Sequence, residues 1–114
     1  MDNAPPLKPS DRIRLLNDNF RTTFIGGRVL LTAGVSELPM DTKAQALLKV
    51  QSFTEFTSGN DPYSEHDFGS FELAGDTFFW KIDYYDRDME GGSEDPADPY
   101  LTTRVLTIMF AAEY

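Results

Sequence analysis

Between Phe68 and Asp86 the chain reads FGSFEL, then Ala74-Gly75-Asp76, then TFFWKIDYYD. Two strand-like runs separated by a Gly-Asp step predict a tight β-hairpin over 68–86. In the longer run Phe78, Trp80, Ile82 and Tyr84 share one side, and Phe79, Lys81, Asp83 and Tyr85 share the other. Side chains alternate across a strand, so the first set faces a core and the second is half wet. One face of any sheet built on this hairpin must therefore be covered.

The remaining segments supply the cover. In DRIRLLNDNFRTTF, Ile13, Leu16 and Phe20 recur at helical spacing, with Leu15 and Phe24 close to the same stripe, which predicts a helix over 11–24. Ser10 or Asp11 would cap it, Asp11 and Arg21 suit its dipole, and Gly26-Gly27 ends it. GRVLLTAGV is short, β-branched and bounded by glycines, predicting a strand at Arg28–Gly34. After Pro39, Ala44, Leu47, Leu48 and Gln51 form one helical row and Ala46, Val50 and Phe53 an adjoining one. They predict a second helix over 41–54, capped by Asp41. RDMEGGSEDPADP, rich in Gly, Pro and acid, must be an exposed loop. In LTTRVLTIMFAAEY, Leu106, Ile108 and Phe110 alternate as in a strand, while Val105, Leu106, Met109 and Ala112 would also suit a helix; the Thr, Val and Ile content favours the strand. The order α-β-α-β-β-β gives an α+β fold, an antiparallel sheet of about four strands with two helices on one face. A chain of 114 residues is expected to form one domain over 11–114, after a flexible Pro-rich N-terminus at 1–10.

Charge restricts the function classes. Residues 61–98 carry twelve acids against only Lys81 and Arg87, a net of -10, and the whole chain sums to -9. A field concentrated in one third of the chain repels nucleic acid and attracts cationic surfaces. Direct DNA or RNA binding is excluded on that ground. The absence of cysteine excludes disulfides and thiolate zinc sites and fits a reducing cytoplasm. No apolar run approaches a membrane span and MDNAPPLKPS lacks a signal-peptide layout, so a cytoplasmic protein is expected.

NDPYSEHDFGSFE, FFWKIDYYDRDMEGGSEDPADP, TTRVLTIMFAAEY and NDNFRTTFIGGRVLLTAGV together resemble a family of small bacterial proteins of unknown function. Its members occur mainly in alphaproteobacteria, often encoded on plasmids and prophages, and the similarity covers roughly residues 11–114. The resemblance implies no activity and no catalytic residue. Its mobile-element setting implies a protein that protects a phage or plasmid from host defences.

No nucleophile with an activating partner stands out, and no catalytic residue is assigned. The lone histidine lies in Glu65-His66-Asp67, which could supply a base or a metal site, with further ligands from Asp61, Asp83 or Asp86. Adjacent residues of an extended segment point to opposite faces, so Glu65, His66 and Asp67 do not converge by themselves. The structural alternative is that Asp61-Pro62 starts a turn and His66 bonds the backbone to hold the beginning of the strand. The acidic loop lacks the EF-hand pattern, and no metal or other cofactor is expected.

Two function classes remain, against a background in which acidity merely keeps the domain soluble. The first is an inhibitor, a monomer or homodimer, whose acidic face occupies the basic, nucleic-acid-binding surface of a partner. Asp83, Asp86, Asp88, Glu90, Glu94, Asp95 and Asp98 would engage the partner's Lys and Arg, with Tyr84, Tyr85 and Tyr100 supplying affinity. Given the mobile-element setting, the expected partner is a basic protein of a host nuclease or defence complex, which makes this an anti-CRISPR or antirestriction protein acting as a DNA mimic. The second class is a small enzyme or ligand-binding protein centred on His66, nearby carboxylates and Tyr84 or Tyr85.

Overall fold

The computed structural model describes residues 7–114. In chain order it contains α1 (Pro9–Thr23), β1 (Gly27–Leu31), α2 (Ala33–Ser36), α3 (Met40–Gln51), β2 (Phe68–Leu73), β3 (Asp76–Tyr85) and β4 (Thr103–Phe110), followed by a 3-10 turn at Ala111–Glu113. The four strands form one sheet in the order β1-β4-β3-β2. The fold is α+β and the sheet mostly antiparallel, as expected. The exception is β1, which pairs parallel with β4. A parallel pair needs a long crossover, and everything from α2 to β3 lies between these two strands.

The hairpin forms with Leu73 opposite Asp76. Ala74 and Gly75 both have positive φ, 54° and 84°, the pattern of a type I′ loop. The turn is therefore Ala74-Gly75, one residue earlier than the Gly-Asp signal. Phe78, Trp80 and Ile82 are buried on the helix-facing side. Leu106 and Ile108 of β4 join them, and Phe20 from α1, Val35 from α2, Ala46 and Val50 from α3, and Phe53 complete the core.

Several boundaries move, each for a local reason. Pro9 and Ser10 belong to α1, with Lys8 as its N-cap, because the Lys8 N–H donates to Asp11 Oδ2 at 3.4 Å. Pro at the first helical position sacrifices no hydrogen bond. The rest of the expected flexible terminus, residues 1–6, lies outside the described residues. Pro39, not Asp41, caps α3, and the helix stops at Gln51. The expected strand through Gly34 ends at Leu31, and Ala33–Ser36 curls into a helical turn. Glu113 holds that turn: its carboxylate accepts from Thr32 Oγ1 at 2.7 Å and from the Gly34 N–H at 3.3 Å. The final segment is strand to Phe110 and a 3-10 turn beyond it.

Two glycines are explained by close approach. A Cβ on Gly69, directly opposite Trp80, would sit 2.2 Å from the indole Nε1. A Cβ on Gly27 would sit 2.5 Å from the Arg104 carbonyl and 2.7 Å from the Phe20 ring. Among the described residues no helix is long and apolar enough to cross a membrane.

Candidate functional site

The segment 60–67 crosses one end of the core and is held by its own acid. Asp61, buried, accepts from the backbone N–H groups of Glu65 and His66 at 3.0 and 3.1 Å. The chain between them bends sharply enough to put Ser64 and His66 in the left-handed region, with φ of 55° and 56°. This bend aims the imidazole back toward α1. His66 Nδ1 lies 2.9 Å from Asp18 Oδ1, and Nε2 lies 3.6 Å from Asp61 Oδ2. The ring stacks on Phe56, with centroids 3.7 Å apart and planes within 3°.

Arg21 extends the chain of contacts. It meets Asp18 at 3.2 Å and donates to the carbonyls of Val50 and Gln51 at 2.9 and 3.3 Å. Those carbonyls end α3 and have no partner within the helix, so Arg21 acts as its C-terminal cap. The guanidinium also lies over the Phe56 and Trp80 rings, 5.4 and 5.3 Å from their centroids. The expected role of His66 in holding the beginning of the strand is thus carried by ring-to-carboxylate contacts rather than by a bond from the ring to the backbone.

A second polar knot adjoins the first. Asn17, fully buried, donates to the Glu65 carbonyl at 3.0 Å and to the Tyr84 hydroxyl at 2.8 Å, and accepts from Arg104 Nε at 2.7 Å. Tyr84 donates to Glu65 Oε1 at 3.0 Å, and Arg104 also donates to the Pro96 carbonyl. The Arg104 guanidinium lies over the Tyr84 ring at 5.3 Å. Burial raises the pKa of the Tyr84 hydroxyl and lowers that of Arg104. This knot ties α1, segment 60–67, β3, β4 and the acidic loop together.

Glu65, His66 and Asp67 do not meet. Glu65 turns to Tyr84, His66 to Asp18 and Asp61, while the Asp67 carbonyl accepts from Ile82 N–H at 2.8 Å. Of the further candidates, Asp61 reaches His66, whereas Asp83 pairs with Lys81 at 2.8 Å on the sheet face away from the helices. Among the described residues no three His, Cys, Asp or Glu side chains converge as metal ligands. A cleft of about 310 Å³ reaches His66 past Ser58, Asp61 and Ser64, but no hydroxyl of the described residues hydrogen-bonds the imidazole. Nucleophile activation needs such a contact.

The Asp67 carboxyl has its pKa raised, first by burial and then by the charge of Glu65. Ionisation there opposes folding, so the stability that the protonated carboxyl contributes is fully present below the ordinary value of 3.8 and is lost as pH rises through the folded value. Asp67→Asn should therefore be more stable than the parent at about pH 7, with the gap closing toward about pH 3. Urea titrations at the two pH values check this, and a gap that is absent or widens in acid would contradict it.

The acidic loop between β3 and β4 is internally braced. Ser93 Oγ and Thr102 Oγ1 lie 2.7 Å apart, Thr102 donates to the Asp95 carbonyl at 2.9 Å, and Ser93 N–H donates to the Tyr84 carbonyl at 3.1 Å. Three of its acids hold turns: Asp86 accepts from Glu90 N–H, Asp95 from Ala97 N–H and Asp98 from Tyr100 N–H, at 3.0, 3.1 and 2.8 Å. Asp88, Glu90, Glu94 and Tyr100 are exposed. Tyr85 is half-buried on the same outer face as Asp83, and Tyr84 faces the interior knot. The ten residues expected to meet a partner therefore divide into an exposed rim of four, three turn braces, the outer-face pair Asp83 and Tyr85, and one interior tyrosine.

Fold and site define a small α+β domain with a buried polar knot beneath α1 and a braced acidic loop at the sheet's end. A family model described as "Protein of unknown function (DUF3768)" matches residues 31–113, and the chain belongs to that family. Asn17, Asp18 and Arg21 lie before the matched segment, so α1 contributes three side chains to the two knots from outside it. No curated protein and no solved structure matches the chain.

Proposed function

We propose that this protein is an acidic interaction inhibitor that occupies a basic, nucleic-acid-binding surface of another protein. The observation that carries the reading is the loop: it holds the densest run of acid in a chain of net charge -9, and its own hydrogen bonds fix its shape. A loop already ordered before binding loses less entropy when it docks. Asp88, Glu90, Glu94 and Tyr100 form the contact rim, with Asp83, Tyr85, Asp86, Asp95 and Asp98 setting the surrounding field. Tyr84 supports the loop from within. The partner class is a basic protein of a host nuclease or defence complex in the cytoplasm, and the setting is a plasmid or prophage, as the family resemblance implies. The anti-CRISPR or antirestriction role rests on that resemblance.

The alternative centred on His66 has weaker support, because both ring nitrogens face carboxylates and one ring face is covered by Phe56. The test is capture of partners from a host lysate, followed by measuring whether the captured protein loses nucleic-acid binding when this protein is added. The triple variant Asp88→Asn, Glu90→Gln, Glu94→Gln leaves the turn-bracing side-chain carboxylates in place. It should fold, lose capture and abolish inhibition, and the parent's capture should fade with rising salt. A folded triple variant that still captures and inhibits at the same salt would refute the acidic-face mechanism.

A further inference from the structure

Beside the acidic loop lies a cleft of the opposite character. It has a volume of about 670 Å³ and is lined by Gly26, Gly27, Arg28, Arg87, Pro99, Tyr100, Thr102 and Thr103. That volume lies within the range of about 300–1,000 Å³ usual for small-molecule sites. Two arginines and no acidic residue line it, whereas four further clefts each include at least one acid. Arg87 is one of only two bases in the segment 61–98, whose net charge is -10. Among the described residues neither Arg28 nor Arg87 makes a salt bridge. Tyr100, 86% exposed, is held beside them by its N–H bond to Asp98.

The placement has a structural origin. Arg28 follows Gly27, whose missing Cβ lets β1 approach the Arg104 carbonyl at the parallel edge of the sheet. Arg87 and Tyr100 come from opposite ends of the loop whose base is closed by the contacts of Ser93 and Thr102. Two segments far apart in sequence therefore each contribute an arginine to one cleft. Guanidinium forks suit phosphate oxygens, and an exposed phenol ring suits the flat face of a base.

We propose that this cleft binds a small phosphorylated ring compound, a nucleoside monophosphate, with Arg28 and Arg87 on the phosphate and Tyr100 against the base. A nucleoside monophosphate carries a charge of about -2, which two arginines can match, whereas a polynucleotide would meet the repulsion of the whole acidic segment. The site borders the proposed acidic contact surface and shares Tyr100 with it, but the arginine changes leave every acid of that surface in place, so failure of one reading leaves the other testable.

Titration of the full chain with AMP, inorganic phosphate and adenosine, followed by amide NMR shifts, decides it. Saturable shifts at Gly26, Gly27, Arg28, Thr102 and Thr103 are expected with AMP, and weaker ones at the same amides with phosphate. Arg28→Gln and Arg87→Gln should each weaken AMP about tenfold, as loss of a charge-assisted contact does. Tyr100→Ala should weaken AMP and adenosine while leaving phosphate unchanged. No saturable shift at these amides, or AMP binding that survives the double arginine change, would overturn the proposal. Phosphate binding as tightly as AMP, unaffected by Tyr100→Ala, would overturn the assignment of a base and show an anion site alone.

Discussion

Trp80→Ala is expected to destabilise the fold by about 3–5 kcal/mol, the cost of deleting a large buried aromatic and leaving a cavity. Trp80 has no exposed surface. Its ring meets Phe53 and Phe56 edge-on, with centroids 5.5 and 6.1 Å away, and Arg21 lies over it at 5.3 Å. Gly69 leaves the opposite strand bare, so the indole lies against backbone and no side chain there can swing in to fill the gap. Urea unfolding followed by circular dichroism measures the effect. Trp80→Phe, which keeps an aromatic ring in place, should cost clearly less. A loss below about 1 kcal/mol for Trp80→Ala would mean that the core does not close on this residue.

The second large effect is expected at Asn17. Asn17→Leu keeps the volume roughly constant but strips partners from Arg104 Nε and the Glu65 carbonyl, and removes the donor to the Tyr84 hydroxyl. Leaving buried polar groups unmatched, one of them charged, should cost about 3 kcal/mol. Tyr84→Phe removes only the hydroxyl contacts and should cost about 1 kcal/mol. The two changes share partners, so the double variant should lose less than their sum. Strict additivity in the unfolding free energies would show that Asn17 and Tyr84 do not act as one network. Because Arg104 also donates to the Pro96 carbonyl, Asn17→Leu should loosen the acidic loop as well. Faster amide exchange across residues 93–98 would report it.

Much of this architecture was legible in local periodicity. The alternation of Phe78, Trp80 and Ile82 identified the core face of β3, and the helical rows identified α1 and α3 to within a few residues. The exposed acidic loop followed from composition. Alternation also placed Tyr84 on the core face, which argues against using it as a surface contact. Asn17 and Arg104 carried a similar signal. Asn17 sits between Ile13 and Phe20 on the buried stripe of α1, and Arg104 shares the inward phase of Leu106 and Ile108. A polar residue in a core phase needs a buried partner, and that requirement can be read before the partner is known.

The partners themselves were decided only by the tertiary structure. Asp18 reaches His66 across 48 residues, and Asn17 reaches Arg104 across 87. The parallel seating of β1 against β4 and the arginine-lined cleft depend on the same long-range closure. Periodicity records which side of an element is buried, because that is a property of neighbours along the chain. The identity of the group on the other side is settled by hydrogen-bond geometry and charge balance across the core, where only the packed fold brings them within about 3 Å.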